Sequence, residues 1–131
     1  MYEKLSKEQV YSNYNEISMK SRLYEFSIKE NSEKETHFIC STQGLLFRQM
    51  KTGSWKEIKN TKNHAKGYNV ILVNKKQYSR AKLILFAFNK INLDDKNKNI
   101  YHINMNKLDC NIDNLTLEVP QKWLCGKTQK I

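Results

Sequence analysis

The spacing of apolar residues changes along the chain and divides it into stretches of different character. Near the start, Val10, Tyr14, Ile17 and Tyr24 fall roughly on one helical face. Ser6-Lys7-Glu8-Gln9 before them is a capping-box pattern, which predicts a helix starting near Lys7. Two continuations are open. The helix runs to about Ile28, or Tyr24, Phe26 and Ile28 alternate as a strand. Residues 29–36 are polar and charged and read as a linker.

From His37 short apolar runs alternate with turn residues. They predict strands over residues 38–41, 45–48 and 55–59, separated by Thr42-Gln43-Gly44 and Lys51-Thr52-Gly53-Ser54, where Gly53 suits a positive φ. Residues 68–73 and 78–80 form a hairpin around Asn74-Lys75-Lys76-Gln77. Residues 81–89 lack turn residues, are densely apolar and read as a buried helix. A polar loop over residues 91–99 follows, then a short apolar stretch around His102, a turn over 104–109, Ile112-Asp113-Asn114-Leu115 and a basic tail after Pro120.

This order predicts an α+β fold: an N-terminal helix, then a small antiparallel β-domain, then a third unit. The divisions are 1–36 as a helical extension, 37–80 as the β-domain, 81–119 as the third unit and 120–131 as a tail. Trp55, Tyr68, Tyr78, Phe86 and Phe88 read as core rather than as platforms for stacked bases. His37 and His64 read as surface residues.

Charge sharpens the picture. The formal net charge is +10 over 131 residues. Residues 1–36 net −1, residues 37–90 net +10 and residues 91–131 net +1. Plain solubility charge is the weaker reading, since it would not need to segregate in this way, so the middle block points to a polyanion. The candidate contacts are Arg48, Lys51, Lys56, Lys59, Lys62, Lys66, Lys75, Lys76, Arg80 and Lys82. A lysine-guarded edge strand is the bland alternative for the hairpin. Binding is favoured because the other cations fall on neighbouring strands and turns.

Cys40, Cys110 and Cys125 make no CxxC pair, which argues against a disulfide framework or zinc knuckle and for the cytoplasm or another reducing compartment. The longest apolar run, Leu83 to Phe88, is six residues, too short to cross a membrane. No apolar signal region opens the chain. The many Asn and Lys residues fit an AT-rich genome.

Residues 81–117 carry a family resemblance. Ala81-Lys82-Leu83-Ile84-Leu85-Phe86-Ala87-Phe88, a polar loop, Tyr101-His102-Ile103-Asn104-Met105-Asn106-Lys107-Leu108 and Ile112-Asp113-Asn114-Leu115 resemble the HNH homing-endonuclease module. That module reads "HRLVAxAF", a loop, then "(N/D)HxDGNxxNNxxxNLxW". Upstream, residues 38–46 resemble the small β-domain that often precedes it, "YxVSNxGRVRS", with Gly44 at the turn glycine. Gly67-Tyr68 resembles the "GY" of its later hairpin.

The resemblance implies a ββα-metal unit in which His102 is the general base and Asn114 braces its loop. It also implies one divalent ion, Mg or Mn, on the scissile phosphate. Here Tyr101 stands where the first metal ligand belongs, and Trp123 lies near the second. Asn104 and Met105 replace the Asp and Gly that usually follow the histidine. Phenol and indole are poor ligands for a hard cation. The expectation is therefore a degenerate unit without metal ligands or cofactor, with His102 a relic and nuclease activity weak or absent. The partner is nucleic acid, DNA before RNA, with a protein partner open for residues 1–36. The rival readings are an active HNH endonuclease and an HNH-derived structural subunit of a nucleoprotein or viral assembly. Phage or organelle encoding suits each of them.

Overall fold

The computed structural model describes residues 5–17, 22–31, 34–93 and 98–124. Helix α1 spans Lys7–Ile17. Its capping box is formed in both directions. The Ser6 N–H donates to Gln9 Oε1 at 2.8 Å, and the Gln9 N–H donates to Ser6 Oγ at 3.2 Å. The stretch after it is a strand, which decides between the two continuations. β1 covers Leu23–Asn31 and pairs antiparallel with β2, Lys34–Ser41. Residues 29–36 are therefore not a linker, since most of them belong to this hairpin. Because β1 and β2 are one ladder, a division at residue 36 cuts through a β unit.

β3 (Leu46–Gln49) and β4 (Trp55–Glu57) complete a four-stranded sheet in the order β1-β2-β3-β4. The period-two alternation of strands explains how both its faces are used. Phe38, Cys40 and Leu46 point to one side and join Ile71, Val73, Tyr78, Leu83, Ile84 and Leu85 in the larger core. Ile39, Phe47 and Trp55 point to the other side and pack with Val10 of α1. Val10 is fully buried there. Val10 of α1 thus finds its cover on the sheet itself, as the apolar position of an amphipathic helix requires. Tyr14 and Ile17, expected on the same stripe, have side chains outside the described residues. A bridge between Leu5 and Trp55 ties the start of the chain to the β4 edge.

β5 (Val70–Val73) and β6 (Lys76–Ser79) form a second, two-stranded ladder. Its turn residues Asn74 and Lys75 have φ of 49° and 70°, as a tight two-residue hairpin of right-handed twist demands. Ser79 ends β6 and caps helix α2, Arg80–Ala87, by accepting from the Lys82 N–H. The helix stops where Asn89 turns left-handed at φ 59°, with the Lys90 N–H closing back on the Leu85 carbonyl. Phe86 and Phe88 are half-buried against the larger core.

The last unit is small. β7 (Tyr101–His102) pairs with β8 (Leu115–Thr116), a one-turn helix over Ile112–Asn114 precedes β8, and α3 covers Gln121–Leu124. It is seated on the β2–β3 turn, where the Ile112 N–H donates to the Thr42 carbonyl. A Cβ on Gly44 would lie 2.9 Å from the Cys110 carbonyl carbon, and Gly44 itself has φ 93°. Only glycine allows both the turn and that approach.

Candidate nucleic-acid interface

Arg80 was expected among the phosphate contacts, and the structure corrects this. It is 2 % exposed. Its Nε donates to the Gly44 carbonyl and one terminal nitrogen donates to the Ile58 carbonyl, both at 2.9 Å. The same nitrogen reaches Asn69 Oδ1 at 3.2 Å. A planar fork of donors suits this work, because it can reach acceptors on three segments at once. Burial lowers the guanidinium pKa. Burial also raises the neighbouring thiols, Cys40 to about 12 and Cys110 to about 11, although Arg80 pulls both down. Burial thus keeps both cysteines in the thiol form at neutral pH.

Arg48 is half committed. Its guanidinium donates to the Leu72 carbonyl at 2.9 Å and lies over the Phe38 ring. It holds the β5–β6 ladder to the sheet. Lys51, Lys59, Lys62, Lys66, Lys75 and Lys76 are exposed, while Lys56 and Lys82 are partly covered.

The feature that composition hides is a cleft of about 400 Å³ between the β5–β6–α2 segment and the last unit. Lys82, Lys98 and Lys107 line it, with His102, Tyr68 and Asn99. Lys107 Nζ also donates to the Lys66 carbonyl at 2.8 Å, spanning the two sides. Of the lysines here only Lys82 was expected. Lys98 and Lys107 belong to a stretch whose charge nearly cancels in sequence. Tyr68 is a cleft residue rather than a core residue. It stacks on His64 at 4.4 Å, and His64 is correspondingly not a free surface histidine.

His102 sits on β7 at the cleft wall. Its Nε2 is buried and has no protein hydrogen-bond partner. Burial lowers its pKa below the ordinary 6.5, and Lys107 pushes the same way against Asp109. The imidazole is therefore neutral at pH 7. Since its folded pKa is the lower one, protons bind the unfolded chain more readily as pH falls. Stability should be full above about pH 6.5 and decline below it. Urea midpoints at pH 7.5 and 5.5 check this: His102→Gln should show a smaller drop than the parent protein.

The loop after His102 is held from both ends. Asn114 Oδ1 accepts from the Asn104 N–H, and its Nδ2 donates to Asn104 Oδ1 and to the Asp109 carbonyl, each at 2.9 Å. Asn104 Nδ2 donates to Asp109 Oδ2 at 2.7 Å. Asn106 and Leu108 close further short turns within the loop. At its tip Met105 is 73 % exposed and left-handed, with φ 65°. That conformation costs a non-glycine residue on the order of 1 kcal/mol. Behind the loop, Trp123 of α3 donates its indole N–H to the Ile103 carbonyl at 3.1 Å. Its ring meets Tyr101 edge-on, centroids 5.7 Å apart.

Among the described residues no three His, Cys, Asp or Glu side chains gather into a metal-holding group. No described helix is long and apolar enough to cross a membrane. Compared with models of known families, with curated proteins and with solved structures, the chain matches none.

Proposed function

We propose that this is a nucleic-acid-binding protein on an HNH-like frame whose metal site has been replaced, leaving nuclease activity weak or absent. One observation carries the reading. Tyr101 stands where the HNH resemblance expects the first metal ligand, Trp123 lies near the position expected for the second, and their side chains are in contact. Two positions more than twenty residues apart meet as a shared ion would require, yet what meets is a phenol and an indole. The donor set does not suit a hard cation, which takes carboxylate, amide or water oxygens. The aromatic contact and the Trp123–Ile103 hydrogen bond join these elements instead. The order β7, β8, α3 and the Asn114 brace agree with the same frame.

Nucleic acid is the partner that the cations favour. Three lysines around one cleft, and exposed lysines on adjoining turns, form a surface for successive phosphates. A second reading, an active nuclease, draws on His102, since a neutral imidazole beside a cationic cleft is what a general base needs.

The test is supercoiled plasmid incubated with the protein in magnesium and then in manganese. The expected result is retarded but uncut DNA. Nicking that disappears in His102→Ala would replace this reading with the second. Plasmid that is neither retarded nor cut at low salt would remove nucleic acid from the account altogether.

A further inference from the structure

Met105 is the place where the molecule carries a local cost with no internal return. It holds a left-handed backbone, φ 65°, that glycine or asparagine would take more easily. Its side chain is 73 % exposed, the most exposed large apolar group among the described residues. It therefore contributes little to the core. Nor is the loop loose. The Met105 N–H donates to the His102 carbonyl at 2.8 Å, and the flanking asparagines are hydrogen-bonded to Asn114 and Asp109. A strained residue persists where its surroundings over-determine it, and such residues gather at ligand contacts. Two residues beyond it, Lys107 reaches into the cleft that Lys82 and Lys98 also line.

From this placement we propose that Met105 is an apolar wedge that enters between neighbouring bases of a bound nucleic acid while the cleft lysines hold the phosphates. This rests on the nucleic-acid reading above and adds to it the mode of contact. A thioether on an unbranched stem is narrow, flexible and polarisable, and suits partial unstacking of a base step. The rigid loop aims it, and the lysines supply the charge complementarity that brings a polyanion rather than an apolar protein surface to this tip. In the HNH-like pattern this position is a glycine. Here the left-handed backbone of that position carries a long side chain instead.

The experiment is a fluorescent duplex containing 2-aminopurine, titrated with the parent protein, Met105→Gly and Met105→Leu. The parent is expected to bind and to raise 2-aminopurine emission, since unstacking relieves its quenching. Met105→Gly should bind about tenfold more weakly and leave the emission unchanged, with a urea midpoint equal to the parent's or higher. Met105→Leu should retain most of both signals. Equal affinity and equal emission for the parent and Met105→Gly would overturn the wedge while leaving the nucleic-acid reading in place. So would loss of self-association in Met105→Gly, by sedimentation, with binding to the duplex unaltered. Failure of the parent to bind any duplex at low salt would instead overturn the reading of the preceding section, and the wedge with it.

Discussion

Replacing Arg80 with alanine is expected to destabilise the protein by about 3 kcal/mol or more, because three buried neutral acceptors lose their donor. The side chain is 2 % exposed and serves the Gly44 and Ile58 carbonyls and Asn69 Oδ1. Alanine leaves those acceptors buried without donors, each costing roughly 1–3 kcal/mol where water cannot reach it. Arg80→Lys should recover only part of the loss, since one ammonium cannot reproduce the planar fork. Urea unfolding followed by tryptophan fluorescence measures the difference. A loss below about 1 kcal/mol would mean that the surrounding carbonyls find water. It follows that Arg80 cannot be used to probe binding, because a weaker-binding variant would simply be less folded.

Alanine at Lys82, Lys98 and Lys107 together is the second large effect. If the protein neutralises about six phosphates, its affinity should fall on the order of a thousandfold between 50 and 200 mM salt. Removing three of those contacts should lower the slope of log affinity against log salt by about 3. At 0.1 M salt the variant should bind on the order of a hundredfold more weakly. Lys75→Ala with Lys76→Ala tests the hairpin tip separately. A variant slope equal to the parent's would reject the cleft as the phosphate track, and a slope lowered only by the hairpin pair would move the track there. The circular dichroism spectrum should stay close to the parent's, because Lys98 and Lys107 are exposed and Lys82 is partly covered, although the Lys107–Lys66 carbonyl hydrogen bond across the cleft is lost.

The sequence makes the elements legible where the signal is local. The signals for the α1 capping box and the β5–β6 turn are local: the capping box forms as expected, and the hairpin forms with a tighter turn, Asn74-Lys75, which leaves Lys76 and Gln77 in β6 and Arg80 in α2. β1 was ambiguous because Tyr24 continues the helical stripe as well as the strand alternation. Pairing with β2 decides the matter, and periodicity does not contain it. The far end of that hairpin, around Lys29 and Glu35, is polar and so leaves no apolar trace. The role of Arg80 is hidden in sequence for a related reason. A cation beside a hairpin is usually solvated, and the acceptors that bury this one lie 36, 22 and 11 positions away. Lys98 and Lys107 do not stand out in sequence because nearby acids cancel them in the count. Only the fold, by seating the last unit against β6 and α2, separates them from that background.

The convergence on Arg80 has a consequence for the growing chain on the ribosome. Four strands of the main sheet are complete once residue 57 has been made, but the donor for Gly44 and Ile58 is twenty-three residues further on. Until it emerges, the turn that seats the last unit holds a carbonyl without its partner. The sheet face that α2 will cover is also still bare. At about 5–20 residues per second, synthesis keeps that half-built face open for a few seconds. The vulnerable interval for this protein is therefore set by translation speed across residues 58–87, and slow codons there would lengthen it.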